Sequence, residues 1–219
     1  MEALEPKNVA VAGIALSHLA HYLSAIMLYA LSALVFETGS ERQKSWPFVS
    51  AILHIISPAG AFLSAPCGES TFAFLNFAAY FVYLAGLNDH FSKKCFQRDF
   101  KFLLAGVLFA AATTIRSNGI LGGMLFAFDA CQVIHEIFSY GVSWNRVRYL
   151  GVISLGGSVT ALGTIGPQYV AYQQFCVPLA SPTPLWCEKT VPSIYAWVQS
   201  HYWYAILIPC FPSCHRDSG

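Results

Sequence analysis

Three short stretches of an otherwise apolar chain hold residues able to do chemistry. In SPAGAFLSAPCGES, Ser57 to Ser70, the only carboxylate is Glu69. A carboxylate can take a proton from an attacking hydroxyl, or it can sit at a helix N-terminus and cap it; the residue type admits both. In TTIRSNG, Thr113 to Gly119, Arg116 stands as a lone cation between two apolar runs, with Asn118 beside it. Its planar fork suits a phosphate or a carboxylate, and ionisable groups at membrane depth commonly mark function. An arginine at a helix end can also snorkel into headgroups, and Asn118-Gly119 is an ordinary turn signal. The third stretch, Gly166 to Trp203, sets Tyr169, Tyr172, Trp186, Tyr195, Trp197, Tyr202 and Trp203 among Gln168, Gln173, Gln174 and Gln199. Rings stack on the CH faces of sugars while amides pair with hydroxyls. The same composition serves an aromatic belt at lipid headgroups, and composition alone leaves both open. Cys176 and Cys187 flank a proline-rich segment here, either as a disulfide or as two separate thiols.

The elements that must position these groups are apolar helices. With 56% hydrophobic and 11% charged residues among 219, the chain carries less than half the charge of a soluble domain. Apolar stretches recur at about Val9–Phe36, Trp46–Leu63, Thr71–Leu87, Phe102–Ile115, Ile120–Phe138 and Tyr149–Ile165, and a further one begins near Tyr202. Each crosses or nearly crosses about 30 Å of hydrocarbon, the fourth being short enough for a partial or tilted span. Backbone groups in lipid must be satisfied within their own segment, so the expected fold is an all-α, polytopic transmembrane bundle of about six spans. Pro58, Gly60, Pro66 and Gly68 break the apolar pattern, so a new helix is expected to start at Glu69 or Ser70. Residues Met1 to Asn8 include Glu2, Glu5 and Lys7 and lack a basic n-region, so the first run is read as a retained span.

Charge on the connectors orients the bundle. Arg42, Lys44, Lys93, Lys94, Arg98, Lys101, Arg146 and Arg148 account for eight of the twelve basic residues and fall on alternate connectors. By the positive-inside rule that face is cytoplasmic. The segments Ser64–Ser70, Arg116–Gly119 and Gly166–Tyr202 then share the far face, which gathers all three polar motifs on one side. A formal net charge of +1 gives no basic field for nucleic acid. Seven cysteines without a CxxC pair give neither a disulfide scaffold nor a zinc site, and no metal is expected.

These stretches resemble the PIG-V family of GPI mannosyltransferases, in its fungal form. The matching segments are SPAGAFLSAPCGESTFAFL at Ser57–Leu75, IRSNGIL at Ile115–Leu121, PQYVAYQQFC at Pro167–Cys176 and WCEKTVPSIYAWVQSHYW at Trp186–Trp203. The last is the most specific, because its spacing of Trp-Cys, Val-Pro and Tyr-Trp is rare in an arbitrary membrane loop. The resemblance covers nearly residues 9–203 and implies a partial GT-C type fold in the endoplasmic reticulum membrane. It implies transfer of the second mannose, in alpha-1,6 linkage, from dolichyl phosphate mannose to the GPI precursor at the lumenal face. No cofactor is implied, and the partners are the bilayer, the two lipid substrates and a small accessory membrane subunit. Carried over, Arg116 would serve the donor phosphate and Tyr195, Gln199 and Trp203 would hold sugar, with Asn118, Gln168, Tyr172, Trp186 and Tyr202 as further substrate-binding residues.

The family's Trp-Asp lumenal loop, with its catalytic aspartate, does not precede Val9. Glu69 is therefore the remaining candidate base near the motifs. The text also departs from the family after Trp203, so the expectation is an incomplete chain: one transmembrane domain over 1–203, a lumenal loop at about 166–202 and a divergent tail over 204–219. Among other ionisable residues, His18 and His21 share a face of the first helix, where hydrogen bonding between helices is the expected role. Asp129 lies deep in an apolar run and requires a partner or a proton. The cluster His90 to Lys101 reads as a solvated connector. Two other functions fit the residues: a non-catalytic relative binding glycolipid or a partner subunit, and a small transporter using His18, His21 and Asp129. A transporter would want an internal repeat with paired broken helices, and none is present.

Overall fold

The computed structural model describes residues 6–36, 45–57, 65, 67–92, 94–177, 186, 187, 193 and 197. Among them are six α-helices and one 3-10 helix, with no strand. They are α1 (Pro6–Phe36), α2 (Trp46–Ile55), α3 (Glu69–Phe91), α4 (Cys95–Ile115), the 3-10 turn Ser117–Gly122, α5 (Gly123–Tyr140) and α6 (Trp144–Phe175). The chain falls into two compact units, residues 1–164 and 165–219.

Four helical segments are long and apolar enough to cross a membrane: Lys7–Phe36, Glu69–Phe91, Ser117–Tyr140 and Trp144–Phe175. Only 17% to 28% of each span is buried inside the molecule, so the remaining apolar surface needs lipid or another apolar partner. On α1, for example, Val11, Leu16, Leu19 and Tyr22 are all exposed. The other two expected spans differ for readable reasons. The described part of α2 is ten residues long, and the first two turns of α4 carry Arg98, Asp99 and Lys101, which leaves a short apolar run behind them.

In the first unit α3, α4, α5 and the start of α6 close around a core of rings. Tyr83 meets Phe102 and Phe126 edge-on at 5.0 and 5.1 Å, and Tyr80 meets Phe109 at 5.0 Å. Such T-shaped contacts set the positive rim of one ring against the negative face of the next. Between α4 and α6 the backbones themselves touch: a Cβ on Gly106 would lie 2.6 Å from the Gly156 carbonyl oxygen. Small residues permit this approach where helices gain little from hydrophobic association in lipid. On the other flank α1 packs on α3 and α2. There Ser24 Oγ and His54 Nε2 lie 2.8 Å apart, and the His21 and His54 rings are 5.2 Å apart. The interhelical hydrogen bond expected of His21 is made instead by Ser24 and His54; His21 packs its ring on His54 with Nδ1 buried and unpartnered among the described residues, and His18 stays exposed.

The stretch His90–Lys101 is only partly the solvated connector expected: Ser92, Lys94 and Gln97 are exposed, but its later charges are not. The turn between α3 and α4 is brief, and Arg98, Asp99 and Asp89 are buried. Arg98 and Arg148 both reach Asp99, at 2.6 and 2.7 Å, and Lys101 reaches Asp89 at 2.6 Å. The charges that looked solvated in the linear text neutralise one another across three helices, the condition under which buried ions persist.

Candidate active site

The far end of the first unit is built by two helix ends. Gly68 precedes α3, and Glu69 is its first residue, as the Pro/Gly break anticipates. The N-cap, Gly68, has no side chain to cap with, and the Glu69 carboxylate faces Arg116. α4 stops at Ile115 because Arg116 turns extended, at φ −141° and ψ 129°. The 3-10 turn then brings the Gly119 N–H back to the Arg116 carbonyl oxygen at 2.9 Å. Gly119 packs so closely on α4 that a Cβ there would sit 2.6 Å from the Thr113 nitrogen. A side chain at 119 would push the turn, and Arg116 with it, off the end of α4. Gly68 lies against Ile115, which sets the two helix ends side by side.

This arrangement brings together two residues singled out separately in the sequence. The Arg116 guanidinium donates to the Glu69 carboxylate and forms an ion pair with it. Arg116 also lies over the Phe72 ring, 5.8 Å from its centroid, within reach of a cation–π attraction. The Arg116 and Glu69 side chains stay 42% and 36% exposed, so the pair is not a buried lock. A guanidinium has five N–H donors. Donors beyond those facing Glu69 remain on the fork, in number enough for an anion. Asn118 is exposed in the same turn, whereas Ser70, next to Glu69, is fully buried. Neither motif alone reveals the pairing, because 47 residues separate its members.

The second unit holds another group of the expected residues. α6 continues helical through Gly166 and Pro167 to Phe175, beyond the expected end at Ile165. Gln168 and Tyr172 are therefore helical residues and not part of a loop. The Gln168 Oε1 atom is buried with no hydrogen-bond partner among the described residues, and Gln173 Nε2 donates to the Tyr169 hydroxyl at 3.1 Å. Cys176 and Cys187 form a disulfide, with Cα atoms 5.7 Å apart, and Trp186 beside it is 4% exposed. Tyr195, Gln199, Tyr202 and Trp203 lie outside the described residues. No cluster of three or more metal-ligating side chains occurs among the described ones.

The family described as Mannosyltransferase (PIG-V) matches residues 6–211. The chain belongs to the PIG-V mannosyltransferase family. It is 53% identical over 192 residues to GPI mannosyltransferase 2 of Aspergillus oryzae, a match covering 87% of this chain and 44% of that protein. To the protein of the same name from Chaetomium globosum it is 39% identical over 210 residues, covering 89% of this chain and 43% of the relative. The similarity reaches animals: GPI alpha-1,6-mannosyltransferase 2 of Cricetulus griseus is 30% identical over 213 residues, covering 86% of this chain and 39% of that protein. The chain thus spans less than half the length of these PIG-V relatives. No solved structure matches it.

Proposed function

We propose that this chain forms part of a GPI mannosyltransferase, one that moves the second mannose in alpha-1,6 linkage from dolichyl phosphate mannose to the GPI precursor. The observation that carries the reading is the half-exposed Glu69–Arg116 pair at the ends of α3 and α4. In an inverting transfer, the acceptor hydroxyl oxygen bonds to the anomeric carbon as the bond from that carbon to the phosphate oxygen breaks. The electron pair leaves with dolichyl phosphate, and a carboxylate takes the hydroxyl proton. Arg116 meets the charge growing on the leaving phosphate, where preorganised donors act most strongly. Glu69 holds the guanidinium in place until the donor arrives and stands near enough to accept the proton.

The relatives' names support the substrate class, and the alpha-1,6 linkage in particular is part of the name of the Cricetulus griseus protein. The Cys176–Cys187 disulfide supports a lumenal, oxidising location for that segment, since cytosolic disulfides are rare. It falls on the face that the distribution of basic residues assigns away from the cytosol. In this reading residues 166–202 face the lumen of the endoplasmic reticulum, Gln168 and Tyr172 approach sugar, and a small accessory membrane subunit assists. The test is donor binding in microsomes. Arg116→Ala should weaken retention of dolichyl phosphate mannose while leaving the chain membrane-inserted; unchanged donor binding would remove Arg116 from the phosphate role.

A further inference from the structure

At the basic end of the same helices, remote from Arg116 along α3 and α4, lies a cavity of about 220 Å³. Asp129, Gln132 and Glu136 of α5 line it together with Asn145, Arg146 and Tyr149 from the first turns of α6. A single water needs roughly 10–15 Å³ of such space, so the cavity admits a group of several heavy atoms.

The carboxylates at this end of the unit are not equivalent, and of them only Asp129 and Glu136 line the cavity. Asp89, Asp99 and Glu136 each have a cation within ion-pair distance, at 2.6, 2.6 and 3.6 Å. Asp129 has none among the described residues. Its contacts are two hydroxyls, with Tyr83 donating at 2.5 Å and Tyr149 at 3.3 Å. The nearby cations are taken: Arg98 faces Asp99 and lies 4.6 Å from the Tyr149 ring centroid, and Arg148 also faces Asp99. An acidic side chain within a membrane helix is costly without a partner. Here it borders an open space that Arg98 and Arg146 also line, with neither within ion-pair distance of it.

We propose that this cavity binds a phosphoethanolamine group, carried by phospholipid of the leaflet at the basic end. A primary ammonium has three N–H donors, and Asp129, the Gln132 carbonyl and Glu136 offer three acceptors along one face of α5, at i, i+3 and i+7. The exposed Phe91 ring also borders the space, and a ring face attracts a cation, whereas the Tyr149 ring already carries His90 and Arg98. Arg146, which donates to the Gly141 carbonyl oxygen at 2.9 Å and lies 3.6 Å from Glu136, keeps further N–H donors for the phosphate, and Asn145 adds its amide. A metal ion fits less well, since no group of three His, Cys, Asp or Glu ligands occurs among the described residues. The proposal is independent of the sugar-transfer reading, because it uses neither Glu69 nor Arg116.

The test uses the full chain in nanodiscs of phosphatidylcholine doped with phosphatidylethanolamine or its N,N-dimethyl analogue, with retained lipid counted by native mass spectrometry. Phosphatidylethanolamine should be retained over both others. Asp129→Asn should cut that retention about tenfold, the loss expected for one charge-assisted hydrogen bond. The exposed Glu136→Gln should reduce it less. The headgroup series on the unmutated chain needs no variant to fold. Equal retention of all three lipids overturns the proposal, as does undiminished retention in a folded Asp129→Asn chain. Binding of soluble phosphoethanolamine without preference among lipids overturns the phospholipid as its source.

Discussion

If the Glu69–Arg116 pair serves chemistry and not cohesion, stability and turnover must respond to its loss on different scales. Consider Glu69→Gln, Arg116→Ala and the double variant, with both side chains more than a third exposed in the parent. Exposed ion pairs contribute about 0–1 kcal/mol after screening and side-chain entropy. For a chain of 219 residues, 1 kcal/mol moves Tm by roughly 2–4 °C. Each variant should therefore unfold in detergent within about 4 °C of the parent. Transfer should fall much further, because removing one donor from a transition-state oxyanion costs about 10²–10³-fold. The double variant should lose no more than Arg116→Ala alone to within about tenfold, since groups acting as a unit are not additive. Mannose transfer in microsomes from cells that otherwise lack the second GPI mannose gives the rate, and scanning fluorimetry gives Tm. Full activity in either single variant at unchanged Tm would refute the reasoning. So would losses of rate that simply follow losses of Tm, since the pair would then be a helix-end brace.

Three further outcomes test the packing. Gly106→Ala should destabilise the detergent-solubilised chain by about 1–3 kcal/mol, because the new methyl meets backbone of α6; Gly151→Ala, with open space at its Cβ, should stabilise by about 0.5–1 kcal/mol, both read by thermal unfolding. Tyr83→Phe removes the shorter hydroxyl contact to Asp129 and should cost about 1–2 kcal/mol in the same assay, with no change in donor binding at the opposite end. Cys176→Ser should release one thiol, Cys187, to alkylation of native membranes under non-reducing conditions; alkylation of Cys187 already in the unmutated chain would deny the disulfide.

What could be read in advance follows the range of the interactions involved. Helix α3 starting at Glu69 and α4 stopping at Arg116 are local events, signalled by prolines, glycines and a turn dipeptide within a few residues. Lipid-facing helices declare themselves by composition, because lipid exposes apolar residues all around a helix. The pairing of Glu69 with Arg116 spans 47 residues and is set by how α3 lies against α4, which no local pattern encodes. The basic end was harder still. A run such as SKKCFQRDFK looks hydrated, and only the approach of α6 shows that Asp99 is shared by Arg98 and Arg148. Equally, Pro167 marks no helix end: α6 passes through it to Phe175, since only one backbone donor is lost there.

The two ends of the first unit then divide the work physically. At the basic end several ions interlock, with Arg98 and Asp99 nearly fully buried; breaking one contact leaves a charge without compensation, a state costing about 3–5 kcal/mol. Such an end resists rearrangement and fixes the mutual register of α3, α4 and α6. At the far end a single half-exposed pair closes the gap between two helix ends, and exchanging its carboxylate for a substrate phosphate costs little, since each supplies a similar anion to the same fork. A site that must admit a lipid-linked phosphate and release it again is best placed where the partner of its arginine is weakly held. The rigidity of the opposite end keeps that arginine from drifting while its partner is exchanged.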